Sequence, residues 1–183
     1  MTILPKVMLF VAGALLLGAC EIVGPQDADE RELLNQRARA SLADFKRADS
    51  SLEMLLSSSF AYVIFPRITA GAAGIGGAYG DGEVYQKGKL VGYADVTQGS
   101  IGVQLGGQTF AELILFRTEM AYVNFTHDTD AFDARVSAVA ASSGAARAAD
   151  YSSGVLVIYL PEGGLMVQAA VGAQSFRFRP VVQ

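Results

Sequence analysis

The sequence predicts an α+β protein in which an N-terminal helical pair packs on a mostly antiparallel, glycine-rich, strongly coiled or barrel-like β-sheet with one short inserted helix. Three observations predict it. Helical spacing runs through residues 29–47 and ends before residue 60. From Phe60 onward, β-rich runs alternate with turn residues and βαβ spacing is absent, which favours hairpins over parallel units. Finally, 12 of the 20 glycines fall between residues 71 and 107, interleaved with strand-forming residues. Glycine inside a strand is expected where a sheet bends sharply, or where another backbone or a ligand such as an acyl chain or headgroup approaches closely.

Lys6 and the apolar run VMLFVAGALLL at residues 7–17 open the chain. Eleven helical residues rise about 16 Å, well short of the roughly 30 Å hydrocarbon core of a bilayer. The run reads as the core of a secretory signal peptide. The residues that follow, Leu17-Gly18-Ala19-Cys20, resemble the bacterial lipobox, in which the cysteine thiol is acylated and the chain is cut before it. The expectation is a signal peptide at residues 1–19, a lipidated tether at residues 20–28 and a single domain over residues 29–183. Glu21 follows the cysteine where aspartate would be the retention signal of the inner membrane, so delivery to the outer membrane is expected. Acyl chains contribute about 0.8 kcal/mol per buried methylene, so two or three of them hold a protein on a membrane without a spanning helix. A tether from Cys20 to Asp29 reaches at most about 35 Å, which keeps the domain near the bilayer.

In the first helix Leu34, Ala38, Leu42 and Phe45 form one stripe with Ser41, while Arg39, Lys46 and Arg47 lie off it. Ser50-Ser51-Leu52-Glu53 offers a capping box for a second short helix with Leu52, Leu55 and Leu56 as its contacts. FAYVIF at residues 60–65 is a strand expected to stop at Pro66. Lys87-Gly88-Lys89 marks a hairpin turn between residues 83–86 and 90–95. Ile101, Val103 and Leu105 alternate as one strand face, and residues 111–116 form a more continuous apolar strand. Residues 118–125 read as the inserted helix, followed by an acidic turn at residues 127–130. Residues 132–139 alternate weakly and residues 140–150 are a small-residue loop. Strands follow at residues 155–159, 165–173 and 175–180, with the first two joined by the turn Pro161-Glu162-Gly163-Gly164.

The composition narrows the function. The chain has 183 residues, 51% of them hydrophobic, which excludes a disordered protein. A net charge of −4 is the wrong sign for a general nucleic-acid binder. One cysteine and one histidine exclude an internal disulfide and a histidine-rich metal centre. Gly74, Gly76 and Gly77 do not make a dinucleotide loop, because Tyr79 stands where the third glycine belongs and no Lys-Ser/Thr follows. Asp128, Asp130 and Asp133 lack the spacing and glycine of an EF-hand and read as a solvated turn. His127 beside Asp128 has no positioned nucleophile to serve. Glu112 and Glu119 near Arg117 read as an ion pair holding the sheet edge to the short helix. No active site emerges, and a non-enzymatic protein is expected.

A family likeness is carried by five segments: FAYVIFP, GAAGIGGAYGDGEVY, KGKLVGYADVTQGSIGVQLGGQ, LILFRTEMAYVNF and GVLVIYLPEGGLMVQAAVGAQ. In content and order they resemble the SYLF domain family over about residues 30–179. The resemblance implies the fold and a general affinity for lipid. In phosphoinositide-binding members the N-terminal segment is basic and amphipathic. Here Arg31, Arg37, Arg39, Lys46 and Arg47 are balanced by Asp27, Asp29, Glu30, Glu32, Asp44 and Asp49, so neither that preference nor the actin activity of fungal and animal members is expected.

The expected protein is therefore an envelope lipoprotein facing the periplasm, anchored through acylated Cys20, with phospholipid as partner and no cofactor or metal. Arg39, Lys46, Arg47 and Arg67 are the candidates for contact with anionic headgroups, within a Debye length of about 8 Å. A structural lipoprotein assembling with itself or another protein through strand edges is the second expectation.

Overall fold

The computed structural model describes residues 24–70, 76–100, 108–127, 138–140, 151, 153–161 and 174–181. The region around Cys20, the strand face of Ile101, Val103 and Leu105, the aspartates 128, 130 and 133, the loop at residues 141–150 and the return strand at residues 165–173 lie outside the described residues.

Helix α1 spans Ala28–Ala48 and buries Leu34, Ala38, Ser41 and Phe45 of the predicted stripe, while Leu42 is only half-buried against the same core. Asp27 caps it by accepting a 2.8 Å bond from the Glu30 backbone N–H, with acids in the first turn and Lys46 and Arg47 in the last, as the helix dipole favours. Helix α2 spans Leu52–Ser58 and buries Leu52. The expected capping box does not form. Buried Asp49 instead accepts from both the backbone N–H and the hydroxyl of Ser51, at 2.9 and 2.7 Å, so its carboxyl, with two acceptor oxygens, takes the place of the serine hydroxyl at this helix start. Glu53 turns away to Lys46.

Seven strands follow: β1 Ala61–Ala70, β2 Gly76–Gln86, β3 Lys89–Ser100, β4 Gln108–Phe116, β5 Ala138–Ala140, β6 Val155–Pro161 and β7 Gln174–Pro180. Helix α3, Glu119–His127, lies between β4 and β5. The sheet order is β5-β6-β4-β1-β2-β3-β7. Six of the strands pair antiparallel and β5 joins β6 in parallel, so the sheet is open, with β5 and β7 as its edges among the described residues.

Pro66 does not end β1, contrary to the sequence expectation. The strand runs through it, and the register shifts between Phe65 and Ile68 against β4 and between Ile64 and Thr69 against β2. A bulge is where a strand tolerates proline, because the ladder is already interrupted there and no N–H is missed. The β2–β3 hairpin forms where its turn chemistry places it. Gln86 pairs with Lys89, and Lys87 and Gly88 both have positive φ, 50° and 75°, as a two-residue primed turn requires.

Each sheet face has its own core. One buries Val63, Phe65, Val84, Val96, Ile114, Phe116 and Phe176 under Ala121 and Phe125 of α3. The other buries Ile64, Leu113, Leu115, Leu156 and Ile158 under Ala38 and Phe45 of α1 and Leu52 of α2. Strands β1, β4 and β6 are covered on both sides, which is why they read as continuous apolar runs instead of alternating. Each such side chain contributes about 1.5–3 kcal/mol on burial. The glycines of β2 make room for the first core. A side-chain carbon on Gly82 would stand 2.6 Å from Phe65 Cδ1, and one on Gly80 2.9 Å from Ile68 Cγ1. At Gly80 and Gly82 this space is filled by the neighbouring strand's own backbone and side chains.

Candidate functional site

Helix α1 lies on the sheet along Ala38 and Phe45, so its remaining residues divide into two flanks. Arg37, Ser41 and Asp44 follow at intervals of four and three and share one flank. Opposite them the β1 bulge brings up Pro66 and Arg67, and Ala111 of β4 with Leu160 and Pro161 of β6 closes a groove of about 590 Å³. The Ser41 hydroxyl is buried and has no hydrogen-bond partner among the described residues. The groove thus joins two guanidinium groups, one carboxylate and an unpaired hydroxyl to an apolar wall. Guanidinium forks match phosphate or carboxylate oxygens, and the wall offers alkyl contact.

The structure does not bring the four predicted headgroup residues together. Arg67 lies in this groove. Arg39 and Lys46, two turns apart, belong to the other flank, where Lys46 lines a second groove of about 490 Å³ with Tyr62 and Lys87 and sits 3.8 Å from Glu53. Arg47 is ion-paired with Asp44 one turn back. Such exposed pairs contribute little to stability. Cys20 lies outside the described residues. Arg37 was not among the residues selected from sequence, although its spacing to Ser41 and Asp44 was visible there.

A second polar centre lies on the same face of β2, β3 and β7. Arg179 Nη2 donates to Asp95 Oδ1 at 2.5 Å, Asp81 stands directly across from Asp95 in the register, and the Tyr79 hydroxyl donates to Asp81. Burial pushes the Asp95 carboxyl above its ordinary range and Asp81 adds to the rise, while the Arg179 ion pair opposes it. Gly24 is buried against this ion pair, where a side chain would collide with the Arg179 guanidinium.

Two further carboxylates are buried. Glu83 receives Asn35 of α1, with Nδ2 at 3.2 and 3.3 Å from its two oxygens, and the Tyr85 hydroxyl at 2.6 Å. Burial, with Glu83 beside it, raises the Tyr85 phenol. Glu112 on β4 accepts from Gln174 Nε2 of β7 at 2.8 Å, and its burial raises the carboxyl to about 7. The expected ion pair of Glu112 with Arg117 is absent. Glu112 points into the core under α3, whereas Arg117 stacks over the Tyr151 ring at 4.1 Å. Glu112 shares the face of Ile114 and Phe116, whereas Arg117 stands one residue beyond the end of β4 and reaches Tyr151, which packs on the α1-side core.

His127 is the exposed last residue of α3. Among the described residues no three His, Cys, Asp or Glu side chains cluster to hold a metal, and no helix is long and apolar enough to cross a membrane. No family model matches the chain and no curated protein matches it.

Proposed function

We propose that this chain is a SYLF-like lipoprotein of the bacterial envelope, anchored through acylated Cys20 in the outer membrane and facing the periplasm, whose domain contacts anionic phospholipid without catalysis. The observation that carries this reading is the groove beside α1. Arg37 and Arg67 supply phosphate-matching donors, Ser41 a buried hydroxyl in need of a partner, and Pro66, Ala111 and Leu160 an apolar wall. Arg39, Lys46 and Arg47 add cations along α1.

The reading includes a strongly coiled sheet under a packed helical pair. In a flat sheet β4 and β7, four strand spacings apart, would lie about 19 Å from each other. The 2.8 Å bond between Glu112 and Gln174 and the 5.8 Å approach of the Phe65 and Phe176 rings support a curl toward α3. Assembly through strand edges is the second reading. Edge strand β7 disfavours it, since it carries Arg177, Arg179 and Pro180, the residue types that blunt edge pairing.

Co-sedimentation of the chain from residue 21 onward with vesicles tests the proposal. Anionic vesicles are expected to retain the protein at low salt and release it at high salt, and neutral vesicles to retain less. Equal binding to both, or none, removes the proposal.

A further inference from the structure

We infer that residues 24–27 form a seat that fixes the anchored N-terminus to the β3–β7 side of the domain, so that this edge and the first turn of α1 lie nearer the anchor than α3 and the last turn of α1 do. The inference rests on the reading that Cys20 is acylated.

The seat is held from two directions. Toward the sheet, the backbone of Gly24 is buried against the Asp95–Arg179 ion pair, where a side chain would have to displace the Arg179 guanidinium. Toward the helix, Gln26 Nε2 donates to the Gly24 carbonyl at 2.6 Å. The Gln26 backbone N–H donates to Glu30 Oε2 at 2.7 Å, and Asp27 caps α1. The chain is therefore fixed to the domain from residue 24 onward, not from residue 29. Only four residue steps separate Gly24 from Cys20, which span at most about 14 Å. A tether free to Asp29 would span about 35 Å.

This difference decides orientation. Helix α1 is 21 residues long, about 31 Å at 1.5 Å per residue. Its C-terminal turn therefore lies about twice as far from Gly24 as the anchor can reach. Glu30 and Arg31 both bond Gln26 of the seat and Arg179 pairs with Asp95 beside Gly24, so both signs of charge meet there and the short covalent link, not net charge, holds this side to the membrane.

The chain contains no tryptophan, so one introduced tryptophan reports position cleanly. The full-length acylated protein is reconstituted in vesicles carrying a dansyl headgroup lipid, with Tyr93→Trp on β3 near the seat or Tyr122→Trp on α3 across the sheet. Energy transfer to the surface is expected to be stronger from position 93. Gly24→Leu is expected to bring the two values together. Four Gly/Ser residues inserted after Glu21, which leave the seat and the fold untouched, are expected to reduce transfer from position 93. Equal transfer from both positions, or no response to the insertion, overturns the seat. Intact mass without acyl chains overturns the anchoring reading instead, so the two failures are distinguishable.

Discussion

Gln174 and Glu112 meet side chain to side chain across the α3 face of the sheet, although strands β1, β2 and β3 separate the strands that carry them. One bond joins them, from Gln174 Nε2 to Glu112 Oε2. The second oxygen of Glu112 and the amide oxygen of Gln174, Oε1 in both, are buried without a partner among the described residues. Two acceptors therefore lack a donor, and a single proton on Glu112 supplies one.

The first prediction follows from that proton. Burial raises the Glu112 carboxyl from 4.5 to about 7, so the neutral form belongs to the folded state. Its contribution is complete below pH 4.5 and is lost as pH rises to about 7. At 1.36 kcal/mol per unit the full loss is about 3 kcal/mol. Glu112→Gln, which keeps the shape and adds a permanent donor, is expected to be more stable than wild type at pH 8 and close to it at pH 4. Urea melts across this range check it. A constant difference between the two proteins excludes the assignment.

Asn35→Leu is expected to destabilise the protein by about 1–3 kcal/mol, because Glu83 loses the only bond it receives from α1 while remaining buried. Asn35→Asp is expected to be at least as damaging, since it sets one carboxylate against another. Chemical denaturation gives both values.

Gly82→Ala places a carbon 2.6 Å from Phe65 Cδ1 and 2.8 Å from the Ile64 carbonyl oxygen. Overpacking of this kind costs about 1–3 kcal/mol. Gly88→Ala meets no atom within 4 Å but carries φ of +75°, and is expected to lose about 1 kcal/mol through backbone strain alone. Comparing the two melting midpoints separates crowding from strain.

Arg37→Ala with Arg67→Ala is expected to weaken binding to anionic vesicles. Each cation near such a surface contributes about 1 kcal/mol, so the pair accounts for about thirtyfold, with a shallower salt dependence. Wild-type retention by the double variant would remove the groove from the binding surface.

Much of the fold was legible because it depends on local periodicity. Leu34, Ala38, Ser41 and Phe45 recur at helical spacing and are the buried face of α1. Lys87-Gly88 carries its own turn geometry. What was not legible depends on partners distant in sequence. Pro66 passes for a strand end until β2 and β4 hold the chain on both sides of a bulge. Asp49 displaces the serine cap because packing buries its carboxylate. The partner of Glu112 lies 62 residues away, while Arg117, five residues away, stacks over Tyr151 instead. Arg67 was selected from the sequence, but Arg37 becomes its neighbour across the groove only once α1 lies along the sheet.

Strand β7 is only seven residues long, yet Arg179 neutralises Asp95, Gln174 holds Glu112 and Phe176 fills the core against Phe65 and Phe125. A copy that ends early, before residue 174, would keep both acids and lose every one of these companions, with the β3 edge laid bare as well. Such a chain would keep two buried acids without their partners beside an exposed strand edge, so this short strand weighs on folding out of proportion to its length.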